Sequence, residues 1–109
     1  MGVELAKIAP KGLTRTFYSD NGATAVEIAL KMAFQFWRQT DPSRPGKKRF
    51  IAIEEAYHGD TLGAVGVGGV DRFTAMFEPL TFTPIRLSPP GLADATGRIP
   101  SCDESLAAL

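Results

Sequence analysis

Apolar and polar positions change rhythm several times along the chain. From Ala23 to about Gln39 the period is that of a helix. Val26, Ala29, Leu30, Ala33, Phe36 and Trp37 fall on one face, and Ile28 and Met32 widen it. Glu27, Lys31, Gln35 and Arg38 form a narrow polar stripe opposite, in which Glu27 and Lys31 are an i,i+4 pair in the favourable order. A helix with so small a polar face is expected to be mostly buried, against more protein than this chain supplies. Thr14 to Ser19 is a short β-branched and aromatic run and predicts a strand. Arg49 to Glu54 predicts a second, whose apolar run from Phe50 to Ile53 fits burial on both faces, as in a parallel sheet. Thr81 to Leu87 predicts a third, with an edge or bulge at Pro84 and an end at Ser88-Pro89-Pro90-Gly91. Thr61 to Val67 predicts a short helix, against the cost of its glycines. Strand, helix, strand, short helix, strand is an α/β arrangement, in which parallel strands joined by a helix cross over right-handedly.

The ends add to this picture. Val3 to Ala9 reads as the last turns of a helix stopped by Pro10 and Gly12, and Ser101 to Leu109 as a capped helix start. A chain of 109 residues holds at most one domain. One that begins in a helix and finishes in another reads as a piece of something larger. Acidic and basic residues number 12 each, so no strong field favours nucleic acid or an acidic membrane surface. There is no apolar run of membrane-spanning length and no signal-peptide pattern. The single cysteine, Cys102, forms no internal disulfide. The expectation is a cytoplasmic protein with no nucleic-acid and no membrane partner. The basic loop Asp41 to Lys48 reads as solvated, since no aromatic residues interleave its charges.

In an open α/β sheet, ligands bind beyond the carboxyl ends of strands. Two segments fall there. The first is Asp20-Asn21-Gly22-Ala23-Thr24, at the mouth of the long helix. Opening N–H groups of a helix lack internal partners, and the helix dipole favours an anion beside them. Gly22 lets the backbone come close and Thr24 offers a hydroxyl. The same residues also read as an ordinary cap, through Asn21 or through Thr24 with Glu27. A Walker loop is excluded, because no Gly-Lys-Ser/Thr follows. Gly66, Gly68 and Gly69 make no dinucleotide fingerprint, since Asp71 stands at the third glycine position. The second segment, Glu54 to Thr61, holds the only histidine, His58, beside Tyr57. No further ligands at suitable spacing make His58 a metal site, and nothing supports a Cys102–His58 nucleophile. Tyr57 reads either as a platform for a flat aromatic ligand or as a half-buried structural residue.

Taken together, "FYSDNGATAVEIALKMAFQFW" and, downstream, "YHGDT" resemble the class III, pyridoxal-phosphate-dependent aminotransferases, and the likeness runs from "IAPKGLTR" to "FEPLTFTPIR". Within the class, Ala25-Val26-Glu27 and Tyr57-His58-Gly59-Asp60-Thr61 are similar to the branch that passes an amino group from S-adenosylmethionine to 8-amino-7-oxononanoate in biotin biosynthesis. The resemblance implies that residues 1–109 are a fragment of the large, cofactor-binding domain of a fold-type I aminotransferase. It implies pyridoxal 5'-phosphate as cofactor, small-molecule substrates, and a homodimeric parent. Gly22 and Ala23 would hold the cofactor phosphate by their N–H groups, with Thr24 beside them. Tyr57 would stack on the ring, and His58 and Gly59 would shape that wall. Ala23 departs from the serine frequent in relatives, which removes one contact to phosphate, with Thr24 the candidate to compensate. The covalent cofactor lysine, the aspartate facing the ring nitrogen and the substrate-carboxylate arginine of relatives match nothing here. No catalytic residue is therefore assigned to this chain, and it is expected to be inactive alone.

Two other readings stand beside this one. One is a different class III aminotransferase, acting on an ω-amino acid or an amino ketone. The other is a non-catalytic module that binds a phosphorylated ligand. A fragment would expose the apolar face of the Val26–Trp37 helix and bind a hydrophobic dye strongly, with a broad thermal transition. A cooperative thermal transition with low dye binding would instead favour the module.

Overall fold

The computed structural model describes residues 1–41, 43–44, 46–89 and 97–99. Its elements are α1 (Gly2–Ile8), α2 (Gly22–Thr40), β1 (Ile51–Ile53), α3 (Leu62–Val67), α4 (Asp71–Thr74), a 3-10 segment (Ala75–Leu80) and β2 (Ile85–Leu87). The helix start expected at Ser101 to Leu109, Cys102, and the Pro90-Gly91 stop all lie outside the described residues.

α1 ends where the sequence places its stop: Ala9 is extended, immediately before Pro10. α2 begins at Asn21, whose side chain accepts the Thr24 N–H at 3.0 Å while the Thr24 hydroxyl accepts the Asn21 N–H at 3.3 Å. This closes a capping box between Asn21 and Thr24. Of the two caps open in the sequence, the structure takes Asn21 and leaves Glu27 free for another contact. At the far end Thr40 donates its hydroxyl to the Phe36 carbonyl at 2.7 Å.

β1 and β2 pair in parallel, Ile51 with Ile85, Ala52 with Arg86 and Ile53 with Leu87. Ladder bonds continue past both ends, from the Ile85 N–H to the Phe50 carbonyl at 2.8 Å and from the Glu54 N–H to the Leu87 carbonyl at 2.9 Å. Pro84 is buried one position before β2, where its missing N–H interrupts no ladder bond.

Three expectations are corrected. Thr14 to Ser19 forms no strand and is exposed throughout, because a strand needs a ladder partner and no described segment pairs with it. β1 is buried only at Ala52, with Ile51 and Ile53 exposed, because α3 covers one face and the other looks onto a groove of about 500 Å³ beneath α2. α2 buries none of its residues, and Met32, Phe34 and Phe36 stay 49%, 43% and 55% exposed. α4 and the 3-10 segment were not legible in the sequence, where a one-turn helix carries too little period to read.

Among the described residues the buried apolar side chains are Ala52, Ala64, Val65 and Val67. The core is therefore a small contact of α3 on β1, extended by the tilted ring pair Phe50–Phe82 at 5.4 Å. Immediately after β1 the chain turns through Glu55, which has φ 60°. A left-handed non-glycine residue costs roughly 1–2 kcal/mol, less the entropy a glycine would lose. Glu55→Gly should therefore raise stability by about 0.5–1 kcal/mol, and Glu55→Val should lower it, as read from the urea midpoint.

Candidate functional site

The start of α2 and the loop between β1 and α3 meet at an open cleft of about 730 Å³. Of the residues singled out in the sequence, Gly22, Ala23, Tyr57, His58 and Gly59 line it together. Thr24 does not. Its hydroxyl is taken by the cap and donates to the Asp20 carboxylate, which holds Asp20 below the usual carboxylate range, with backbone hydrogen bonds adding to the effect. Thr24 therefore stabilises the helix start and offers the cleft no free hydroxyl.

Gly59 explains how closely the two walls approach. Its φ is 120°, and a Cβ built there would lie 2.9 Å from the Ala23 Cα. Only glycine satisfies both the backbone angle and the contact. On the opposite side, a Cβ at Gly22 would meet nothing within 4 Å, so the helix start opens onto free space. No acidic residue occupies the first turn of α2. A glycine, an alanine and the positive end of a 19-residue helix face the cleft, an arrangement that attracts an anion.

Tyr57 stands 59% exposed at the rim. Its hydroxyl donates to Asp60 at 2.8 Å, and its ring sits edge-on to Phe73 at 6.2 Å. The hydrogen bond to Asp60 pushes the phenol pKa up, with partial desolvation and the Asp60 charge adding to it. Tyr57 is thus a neutral, fixed ring. His58 is exposed and also lines the apolar groove beneath α2. Among the described residues no group of acidic, histidine or cysteine side chains could hold a metal.

Asn21, Asp60 and Thr61 lie in the two segments the sequence pointed to but were assigned no role at a ligand, and Val26 in the cleft wall and Glu27 in its support were missed. Asp60 carried a signal, since a carboxylate three positions after a tyrosine can reach its hydroxyl across a turn. Glu27 carried none. Its carboxylate accepts the Gly63 N–H at 2.6 Å, across 36 positions of sequence. The neighbouring Thr61 hydroxyl is the largest influence lowering its pKa, opposed by desolvation and helped by the Gly63 and Ala64 N–H groups and by the Lys31 charge. By distance and angle the buried Thr61 Oγ1 makes no hydrogen bond, so the Gly63 N–H is the contact of good geometry at this carboxylate.

A model of the Aminotransferase class-III family matches residues 1–108. The chain is 59% identical over 86 residues to an adenosylmethionine-8-amino-7-oxononanoate aminotransferase of Geobacter sulfurreducens, covering 79% of this chain and 18% of that protein. To the protein of the same name from Nitratidesulfovibrio vulgaris it is 49% identical over 90 residues, covering 83% and 17%. The crystal structure of the Methanocaldococcus jannaschii protein of that name superposes with TM-score 0.76 at 46% identity, over 83% of this chain and 20% of that one. The chain thus spans about a fifth of the length of these relatives. The omega transaminase of Pseudomonas jessenii, at 23% identity and TM-score 0.69, shares the fold.

The lowered Glu27 pKa fixes the sign of a pH effect. With the folded value below the ordinary 4.5, its contribution to stability is complete above pH 4.5 and is lost as pH falls through the folded value. The unfolding midpoint of the unmodified chain should drop below pH 4.5 more steeply than that of Glu27→Gln, measured by urea titration across the acid range.

Proposed function

The chain belongs to the class-III aminotransferase family, and from that premise we propose that it is the part of a longer transaminase that grips and covers pyridoxal 5'-phosphate. Residues 1–109 correspond on this reading to a piece of the large domain of a fold-type I aminotransferase. The whole protein transfers an amino group from S-adenosylmethionine to 8-amino-7-oxononanoate, as the names of its similar relatives state for those proteins. It acts as a homodimer in the cytoplasm, in biotin biosynthesis. The observation that carries the reading is the shared cleft, which joins a helix start suited to a phosphate with a tyrosine suited to a flat ring.

The residues present fit the cofactor. Gly22 and Ala23 leave the first N–H groups of α2 reachable, and Gly59 keeps a side chain out of the contact between the walls. When bound, pyridoxal phosphate supplies the electron sink and the amine-exchanging carbonyl that the reaction needs. This chain's residues bind and orient. Gly22 and Ala23 donate to the phosphate. Tyr57 covers the ring, and Asp60 fixes the tilt of Tyr57 through its hydroxyl. Gly59 and His58 complete the wall. No lysine of this chain matches the family's cofactor lysine, so the chain alone binds without turning over.

The exposed apolar face of α2 and the groove beneath it support a longer protein, in which more chain covers them. The full product of the reading frame, supplied with pyridoxal phosphate, S-adenosylmethionine and 8-amino-7-oxononanoate, should form the diamine. Turnover with an ω-amino acid donor and none with S-adenosylmethionine would overturn the substrate assignment. Ala23→Ser should tighten phosphate binding by about 1–2 kcal/mol, since Thr24 is committed to the cap and does not replace the missing hydroxyl. Calorimetric titration with inorganic phosphate checks this.

A further inference from the structure

α3 is a poor helix by its own sequence. It has six residues, two of them glycine, and its N-cap Thr61 makes no side-chain capping bond. Burial of Ala64, Val65 and Val67 seats it on β1. That apolar contact is non-directional and does not by itself fix how the start of α3 sits against α2. A directional contact does. The Glu27 carboxylate, on the second turn of α2, accepts the Gly63 N–H at 2.6 Å and so caps α3 from another helix. A Cβ at Gly63 would crowd the Glu27 carboxylate, so glycine lets the two approach without the Glu27 side chain shifting. Thr61, whose buried hydroxyl lacks a well-aligned partner, lies at the same carboxylate. The loop that carries Tyr57 and Gly59 runs directly into this capped helix start.

Resting on the cofactor reading above, we propose that Glu27 is a positioning residue. By capping α3 from α2 it sets the separation between the phosphate-gripping helix start and the ring-covering loop, while touching neither phosphate nor ring. Two contacts between the walls bear on this separation. One is the Glu27–Gly63 hydrogen bond. The other is the packing of Gly59 on Ala23, which has no directional hold of its own. A ligand that uses one wall depends little on Glu27. A ligand that spans both depends on it strongly.

The test compares Glu27→Ala and Glu27→Gln with the unmodified 109-residue chain. Three quantities are read: the nuclear Overhauser contact between the Ala23 methyl and the Gly59 α-protons, the affinity for pyridoxal phosphate, and the affinity for inorganic phosphate. Glu27→Ala should lose the contact and weaken pyridoxal phosphate about tenfold, while inorganic phosphate changes less than about twofold. Glu27→Gln keeps an acceptor for the Gly63 N–H and should restore the contact and most of the affinity. A parallel fall for both ligands in Glu27→Ala would make Glu27 a stabiliser of α2 and overturn the proposal. So would an unchanged pyridoxal phosphate affinity. If the unmodified chain binds no pyridoxal phosphate, the cofactor reading fails and the contact alone decides. Its loss in Glu27→Ala with recovery in Glu27→Gln supports the positioning role. Its persistence in Glu27→Ala, or its absence from the unmodified chain, overturns it.

Discussion

One hydrogen bond joins the two helices whose starts frame the cleft. Glu27 leaves α2 and accepts the N–H of Gly63 at the start of α3. α2 presents its unpaired N–H groups on one side of that bond, and the Tyr57 loop approaches from the other. The bond is partly buried, which raises its value over a fully exposed contact.

The polar residues at the start of α2 divide the work. Asn21 and Thr24 satisfy the helix end, and Asp20 is tied to Thr24. Gly22 is left without bulk or charge, facing open space, and Ala23 packs against Gly59. An anion site and an ordinary cap were competing descriptions of one stretch, and they turn out to be compatible, because different residues carry each. The cap spends the side chains of Asn21 and Thr24. The attraction for an anion comes from the backbone and the dipole.

The apolar surfaces tell a different part of the story. α2 reads as a buried helix, yet its large side chains stand half exposed, and β1 shows Ile51 and Ile53 to a groove instead of to a core. Sequence periodicity reports the environment a segment is built for. Structure reports the environment present. Their disagreement here has the sign expected when a chain spans about a fifth of the length of its relatives. The unpaired Thr14 to Ser19 run belongs with it: its composition favours a strand, and a strand without a neighbour has nowhere to place its N–H and carbonyl groups except in water.

The sequence by itself determined what is local. The span of α2 followed from the helical period, the end of α1 from Pro10, and the positions of β1 and α3 from short apolar runs within a residue or two, while β2 forms only over the last three residues of the expected Thr81 to Leu87 strand. It also singled out Gly22, Ala23, Thr24, Tyr57, His58 and Gly59, all of which but Thr24 line one cleft. What it left open was decided by tertiary contact. The cap fell to Asn21, and Glu27 meets Gly63 instead. Thr24 left the cleft because its hydroxyl had closer partners. Tyr57 was fixed by Asp60, and Gly59 was required by Ala23. Periodicity and capping act between residues a few positions apart and can be read along the chain. A hydrogen bond across 36 positions depends on how two helices come to lie together, and no local pattern records it.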